Sequence, residues 1–379
     1  MKTSLILTAL ALLGGADLSH ADSRDVWHHR VCPISSDLKA VAFGNGWFVA
    51  VAEQEGHVLT STNGSNWNLE NIGKTNIALE GVSFVNNQFV AVGAQGSIFT
   101  SPDGSAWTLR VSGTLSYLHD VHYTNGQYVV VGENGRILTS PNAIDWTQHN
   151  TPATNYWKDV TFVNGLYVAV GYTYPGGSRA RVATSPDAVN WTYRAVGSTG
   201  PAEAIAFADG TFLVCADNGY IHTSPDGMTW GVPQQPNTLW LKDIIRVGGE
   251  FVTVGWYGTI QTSPDGSTWN IRPTPVLTHL FGVASGNNTI VAVGYDGTIL
   301  QSDPLVAAVT SITLANPSKS GNQFNFHFTG ELGQSYQVQV STDLTQWTLL
   351  QTLVCTEASM RVTDPEPQGS KRFYRVSAQ

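Results

Sequence analysis

A serine-led turn returns through most of the chain at a nearly fixed interval, and few folds accommodate such a period. It falls at Ser61, Ser101, Ser140, Ser185, Ser224, Ser263 and Ser302, with spacings of 40, 39, 45, 39, 39 and 39 residues. One unit reads LHDVHYTNGQYVVVGENGRILTSPNAIDW from Leu118. Its DVHY and QYVVVG runs are strand-like and are joined by Asn125-Gly126, a strong two-residue hairpin signal. A turn at Glu133-Asn134-Gly135 leads into RILTS, and the Ser-Pro turn then leads to a strand that opens with tryptophan. Only 12% of residues are charged, while glycine is frequent (38) and aromatics make up 10%, a profile that suits an all-β chain.

Four short antiparallel strands per unit predict the blade of a β-propeller. Seven units carry the inner three strands, but the seventh stops at Ser302-Asp303-Pro304 without a tryptophan strand. Val26-Trp27-His28-His29-Arg30 supplies it, copying the Trp-x-x-Arg of Trp107–Arg110, Trp191–Arg194 and Trp269–Arg272. Seven of the 12 tryptophans (Trp27, Trp67, Trp107, Trp146, Trp191, Trp230, Trp269) hold this one position. The expected fold is therefore all-β: a seven-bladed propeller over residues 22–304, whose N-terminal strand completes the last blade and removes an open sheet edge.

The turn before the fourth strand resembles the Asp-box repeat of sialidases and related propellers. TSPDGSAW (Ser101, Asp103, Gly104, Trp107), TSPDGMTW (Ser224, Asp226, Gly227, Trp230) and TSPDGSTW (Ser263, Asp265, Gly266, Trp269) carry the likeness, with weaker copies ending at Trp67, Trp146 and Trp191. In these turns Asp or Asn accepts backbone hydrogen bonds, Gly takes a positive φ and Trp packs between blades. The resemblance implies a structural turn remote from the active face. Sialidases use an arginine triad on a six-bladed ring, and no three innermost strands here carry arginine at equivalent positions. The repeat is also similar to seven-bladed photosystem assembly factors, which implies a non-enzymatic scaffold.

From about residue 305 the period breaks into alternating strands (FNFHFTG, YQVQVST, WTLLQTLV, RFYRVS), which predict a small β-sandwich over 305–379. Through YQVQVSTDLTQW and KRFYRV it resembles C-terminal accessory modules of secreted bacterial proteins. Lys2, the apolar run Leu5–Leu13 and Ser19-His20-Ala21 read as an export signal over 1–21, giving a secreted protein. The apolar run is too short for a membrane span. The net charge of −9 argues against nucleic acid and anionic membranes as partners. Three cysteines give no disulfide framework; Cys215 reads as a small buried residue, and a Cys32–Cys355 bridge is the one pairing considered.

Turns 1→2 and 3→4 share one face of such a ring, and the 4→1 loops and 2→3 turns share the other, where propellers commonly bind ligands. One position of the innermost strand stands out on that face. Lys39, Glu80, His119, Lys158, Glu203, Lys242 and Phe281 align two residues before a Val or Ile, so six of seven are ionisable. Two readings stand: a solvated rim whose charges neutralise one another, or a polar ligand site with Glu80 or Glu203 as acid or base beside His119. Tyr117, Tyr156, Trp240, Trp256 and Tyr257 are candidate ligand platforms, whereas Trp157 reads as core. The one insertion, in blade four, adds Tyr172, Tyr174, Arg179 and Arg181. His119 and His122 lack a Cys or carboxylate at metal spacing, so neither a metal nor a cofactor is expected.

The leading expectation is a secreted, monomeric binding propeller that recognises a glycan or protein partner through Lys39, Lys158, Lys242, the aromatics and the two arginines. The alternative is a glycoside hydrolase or polysaccharide lyase using Glu80, Glu203 and His119. Hydrolysis requires two carboxylates about 5–10 Å apart, and blades two and five stand nearly opposite.

Overall fold

The structure is a computed structural model that describes residues 24–151, 155–174, 179–197, 200–305, 314–320, 323–329, 335–355, 359–365 and 372–378. The export signal expected over 1–21 lies outside the described residues. The chain divides into two compact units, Ala21–Leu305 and a C-terminal unit from Val306.

In the first unit the described residues form seven antiparallel sheets with no α-helix. Their first strands are Leu38–Gly44, Leu79–Val85, Leu118–Thr124, Asn155–Val163, Ala202–Ala208, Leu241–Val247 and Leu280–Gly286. Each touches the next, and Leu280–Gly286 touches Leu38–Gly44, so the order is cyclic. Hairpin chemistry explains the local pairing: Asn125 (φ 51) and Gly126 (φ 75) both take the left-handed conformation of a tight turn that matches strand twist. Second strands are apolar without alternation because both faces are covered. Val130 packs on the preceding sheet with Val90, Val92 and Ile98, while Val129 and Val131 pack on the following one with Trp157 and Val160.

The last sheet orders Trp27–Arg30, Ile299–Ser302, Thr289–Gly294 and Leu280–Gly286. Trp27 pairs with Ser302 and Arg30 with Ile299. Arg30 Nε donates to Gln301 Oε1 at 2.9 Å, and His28 Nε2 meets Asp303 Oδ1 at 2.6 Å.

In six of the serine-led turns, Ser302 excepted, an Asp or Asn side-chain oxygen accepts two backbone amides. Asp103 Oδ1 accepts from the amides of Ser105 and Ala106, Ser101 Oγ accepts from Gly104 N, and Trp107 Nε1 donates to Gly104 O. Those amide bonds hold the Asp103 carboxyl below its ordinary range. The C-terminal unit contains the same turn, unremarked in the sequence. Asp343 Oδ1 accepts from Thr345 N and Gln346 N, and Trp347 Nε1 donates to Leu344 O. Leu344 (φ 68) stands there in the glycine position. That a second architecture uses it identifies the turn as a local device rather than a site.

One expectation is corrected. The Trp230 strand does not form, leaving a three-stranded fifth sheet. Pro233 and Pro236 have no N–H to give a ladder, and one bridge, Ile221 to Gln234, remains. No disulfide joins Cys32, Cys215 or Cys355, and Cys215 and Cys355 are buried. The described residues of the C-terminal unit form two three-stranded sheets, Leu314–Ser320/Gln323–Thr329/Ser359–Asp364 and Thr348–Val354/Ser335–Ser341/Phe373–Ala378. Phe324, Phe326, Phe328, Tyr336, Val338 and Val362 form its core.

Candidate functional site at the mouth of the ring

Lys39, Glu80, His119, Lys158, Glu203, Lys242 and Phe281 line a single cavity of about 360 Å³. One backbone device places all seven. In each sheet the register slips at this residue, as where Leu38 faces Ala52 while Ala40 faces Val51. The ring residue is the unpaired member of a β-bulge, a feature that re-aims a side chain out of the ladder.

The charges are unevenly matched. Lys39 Nζ lies 3.3 Å from Glu53 Oε2. Lys242 Nζ lies 2.8 Å from Glu203 Oε1 and 3.7 Å from Asp217 Oδ1, so Glu203 is held in an ion pair. Burial pulls the Lys242 ammonium down, but Glu203 and Asp217 outweigh it and leave its pKa raised. Burial also pushes Asp217 up to about 7, against the pull of Lys242.

His119 Nδ1 is 4.0 Å from Glu80 Oε2 and 3.5 Å from Lys158 Nζ, and its Nε2 is 3.5 Å from Glu133 Oε1. Burial first, then Lys158, holds His119 well below its ordinary pKa, so the imidazole is neutral. Burial raises both Glu80 and Glu133; Lys39 and then Lys158 pull Glu80 back, and Lys158 pulls Glu133 back.

Beneath the ring lies a layer that sequence reasoning missed. Asp159 Oδ2 accepts from Ile205 N at 2.8 Å, and Asp243 Oδ2 from Val283 N at 2.8 Å, each on the next innermost strand. Asp120 Oδ2 reaches Val160 N at 3.4 Å. Burial pushes Asp243 up to about 6. Burial, and then Asp120, raises Asp159 well above the ordinary carboxyl range. These carboxylates staple neighbouring sheets; their signal was the recurring Asp after the ring residue in three units. A second cavity of about 450 Å³, lined in part by Asp120, Asp159, His122 and Arg246, continues past them. Among the described residues no group of three or more His, Cys, Asp or Glu is arranged to hold a metal ion.

The 2→3 turns and 4→1 loops are laced together: Gly56 N donates to Ile77 O, Gly96 N to Ser116 O and Gly135 N to Asn155 O. On this face Trp240 lies on Trp256 (centroids 4.1 Å), and Trp256 stacks on His279 (4.6 Å). Lys242 Nζ stands 5.2 Å from the Trp240 ring. The flat faces expected as platforms are thus largely used by one another, and the outward rings are Tyr257 and Tyr295. His279 was not singled out in the sequence. Tyr156 lies 5.6 Å from Tyr172 and 5.4 Å from Tyr174, on a hairpin that extends past the ring through the pairs Asn155–Thr173 and Tyr156–Tyr172. Arg181 pairs with Gly171 in the same sheet, and exposed Arg179 accepts through its carbonyl from Thr173 N. Tyr117 is exposed and Trp157 fully buried.

Antiparallel sheets around a central channel, with a side-chain ring at its mouth, define the β-propeller class. No family model matches the chain, and no curated protein matches it. Solved propellers do. YCF48 bound to D1 peptide has a TM-score of 0.60 at 18% identity, covering 73% of this chain and 94% of that one. Virginiamycin B lyase from Staphylococcus aureus gives 0.65 at 9% identity, covering 73% and 98%. PorZ, a surface component of the type-IX secretion system of Porphyromonas gingivalis, gives 0.58 at 13% identity, covering 86% and 55%. At these identities the likeness establishes the fold and leaves activity to the site. Among the described residues no helix is long and apolar enough to cross a membrane.

Proposed function

We propose that the chain is an exported, seven-bladed binding propeller, closed by its own N-terminal strand, with a C-terminal β-sandwich from residue 305. Its partner docks on the face built from the 4→1 loops and 2→3 turns. One observation favours a polypeptide over a glycan. Val31, Val111, Leu115, Val232 and Leu277 are 81–91% exposed, and all five stand in 4→1 connections. Aliphatic side chains at this exposure gain from burial against another protein, and Tyr117, Tyr174, Tyr257 and Tyr295 add the aromatic contacts typical of interfaces. The peptide bound to YCF48 and the cell-surface role of PorZ support the same reading.

The test is a photocrosslinking amino acid introduced at Leu115 or Leu277, and at Ile144 or Val189 on the opposite face, in cells that export the protein. Crosslinks to one protein from the first pair alone are expected. Equal labelling from both faces, or adducts only with polysaccharide, would refute the assignment.

A further inference from the structure

We propose that the aromatic arc on the loops and turns of the sixth and seventh sheets binds a proline-rich stretch of the polypeptide partner, held in the polyproline II conformation. This rests on the reading of the face as polypeptide-binding and names the chemistry that part of the partner must present.

The relief of the arc favours prolines over a flat ligand. Trp240 lies against Trp256 at 4.1 Å and His279 stacks on it at 4.6 Å, so these flat faces are taken up by one another. What remains outward is upright. Tyr257 stands at 83° to His279 with centroids 5.1 Å apart, and Tyr295 at 63° and 6.2 Å. Both tyrosines are exposed, by 55% and 50%. Each touches the imidazole, but among the described residues no ring contact joins one to the other, so they form separate ridges. Pyrrolidine rings seat between such ridges, and a polyproline II chain has little conformational entropy left to lose on docking.

Hydrogen bonding selects the same ligand. His279 Nδ1 accepts from Tyr257 N at 3.1 Å, so the ring carries its proton on Nε2. That N–H, Trp256 Nε1 and the hydroxyls of Tyr257 and Tyr295 make no hydrogen bond among the described residues. The arc thus offers donors set among apolar rings. A proline-rich segment suits it, with few N–H groups to satisfy and carbonyls that its own conformation leaves unbonded.

The backbone singles out Tyr257. It takes φ 54, a left-handed conformation in which the equivalent turns place Asn134, Asn218 and Asp296 (φ 57, 59 and 52). Asn and Asp tolerate that conformation and tyrosine resists it. The turn therefore carries an aromatic ring that its own stability disfavours.

The experiment is fluorescence anisotropy of the full chain with labelled decaproline, and with a Gly-Ser repeat and a Thr-Val repeat of equal length. Decaproline is expected to bind about tenfold or more tighter than either. Tyr257→Asn and Tyr295→Ala should each weaken it about tenfold, while Tyr117→Ala, at an exposed tyrosine elsewhere on the face, leaves it unchanged. Tyr257→Asn should melt no lower than the wild type, which separates a binding role from a structural one. Should it melt lower, Tyr295→Ala decides alone. Equal affinity for the three peptides, wild-type binding by both arc variants, or displacement of decaproline by cellohexaose would overturn the proposal. Photocrosslinking from Leu115 tells the two claims apart. A protein adduct there without decaproline binding removes the proline-rich segment and keeps the face, whereas the absence of both removes both.

Discussion

His222 is fully buried, and both of its ring nitrogens lack hydrogen bonds. Burial pushes it down to about 4. Above its ordinary pKa of 6.5 it is neutral in both the folded and the unfolded chain, so it contributes no pH dependence there. As pH falls from 6.5 towards 4, the unfolded chain takes up a proton that the folded chain refuses, and stability is lost. Asp243, pushed up to about 6, acts oppositely: its contribution is present below 3.8 and is lost as pH rises through 6. Both act over one window and offset each other there. Replacing His222 by Gln should separate them. Urea titrations from pH 6.5 to 4 should show the wild type losing on the order of 3 kcal/mol relative to His222→Gln. Parallel pH profiles would mean that His222 is protonated in the fold.

The same scale shows what the sequence exposes and what it hides. The ring from Lys39 to Phe281 was legible because repeats align, and alignment detects any position whose chemistry departs from its neighbours. The staples Asp120, Asp159 and Asp243 occur in only three units, so their column of the repeat was a weak signal. Their role depends on the amide of a strand about 40 residues further on.

For the elements, the 2→3 turns join adjoining sheets through a glycine. Gly258 has φ +69, and a Cβ there would lie 2.2 Å from Val276 O in the loop that follows. The turn and loop therefore meet only without a side chain. Gly258→Ala should cost on the order of 3 kcal/mol, from the left-handed backbone together with the displaced carbonyl. Thermal unfolding beside Gly165→Ala, a positive-φ position with nothing near its Cβ, separates strain from collision. Equal losses would show that the loop yields freely.

The strand expected at Trp230 failed for a reason present in the sequence but weighed too lightly. The tryptophan and its turn repeat faithfully, yet Pro233 and Pro236 remove the donors that a fourth strand needs. Conversely, the turn at Ser341 carries the bulky Leu344 where the other copies carry glycine or alanine, which disguises it. The geometry survives since Asp343 and Ser341 still hold the amides. A large side chain at that position thus hides a copy whose bonding is intact.

Across the whole molecule, the seven tryptophans implied that the two ends of the first unit meet. The structure pairs Trp27–Arg30 with Ile299–Ser302. The aromatic column of Trp240, Trp256 and His279 could not be read in advance, because its rings come from three connections whose approach depends on how adjacent sheets are set. The closed ring also underlies the functional reading. It brings seven bulge residues to one mouth and gathers the loops on one face, so closure and site stand together. Native-state hydrogen exchange measures this most directly. In a closed ring the amides of His28–Arg30 exchange only with global opening, at the same slow rate as those of Ile299–Ser302. If residues 28–30 exchange within minutes while 299–302 remain protected, the N-terminal strand is a frayed end and the ring is not closed by it.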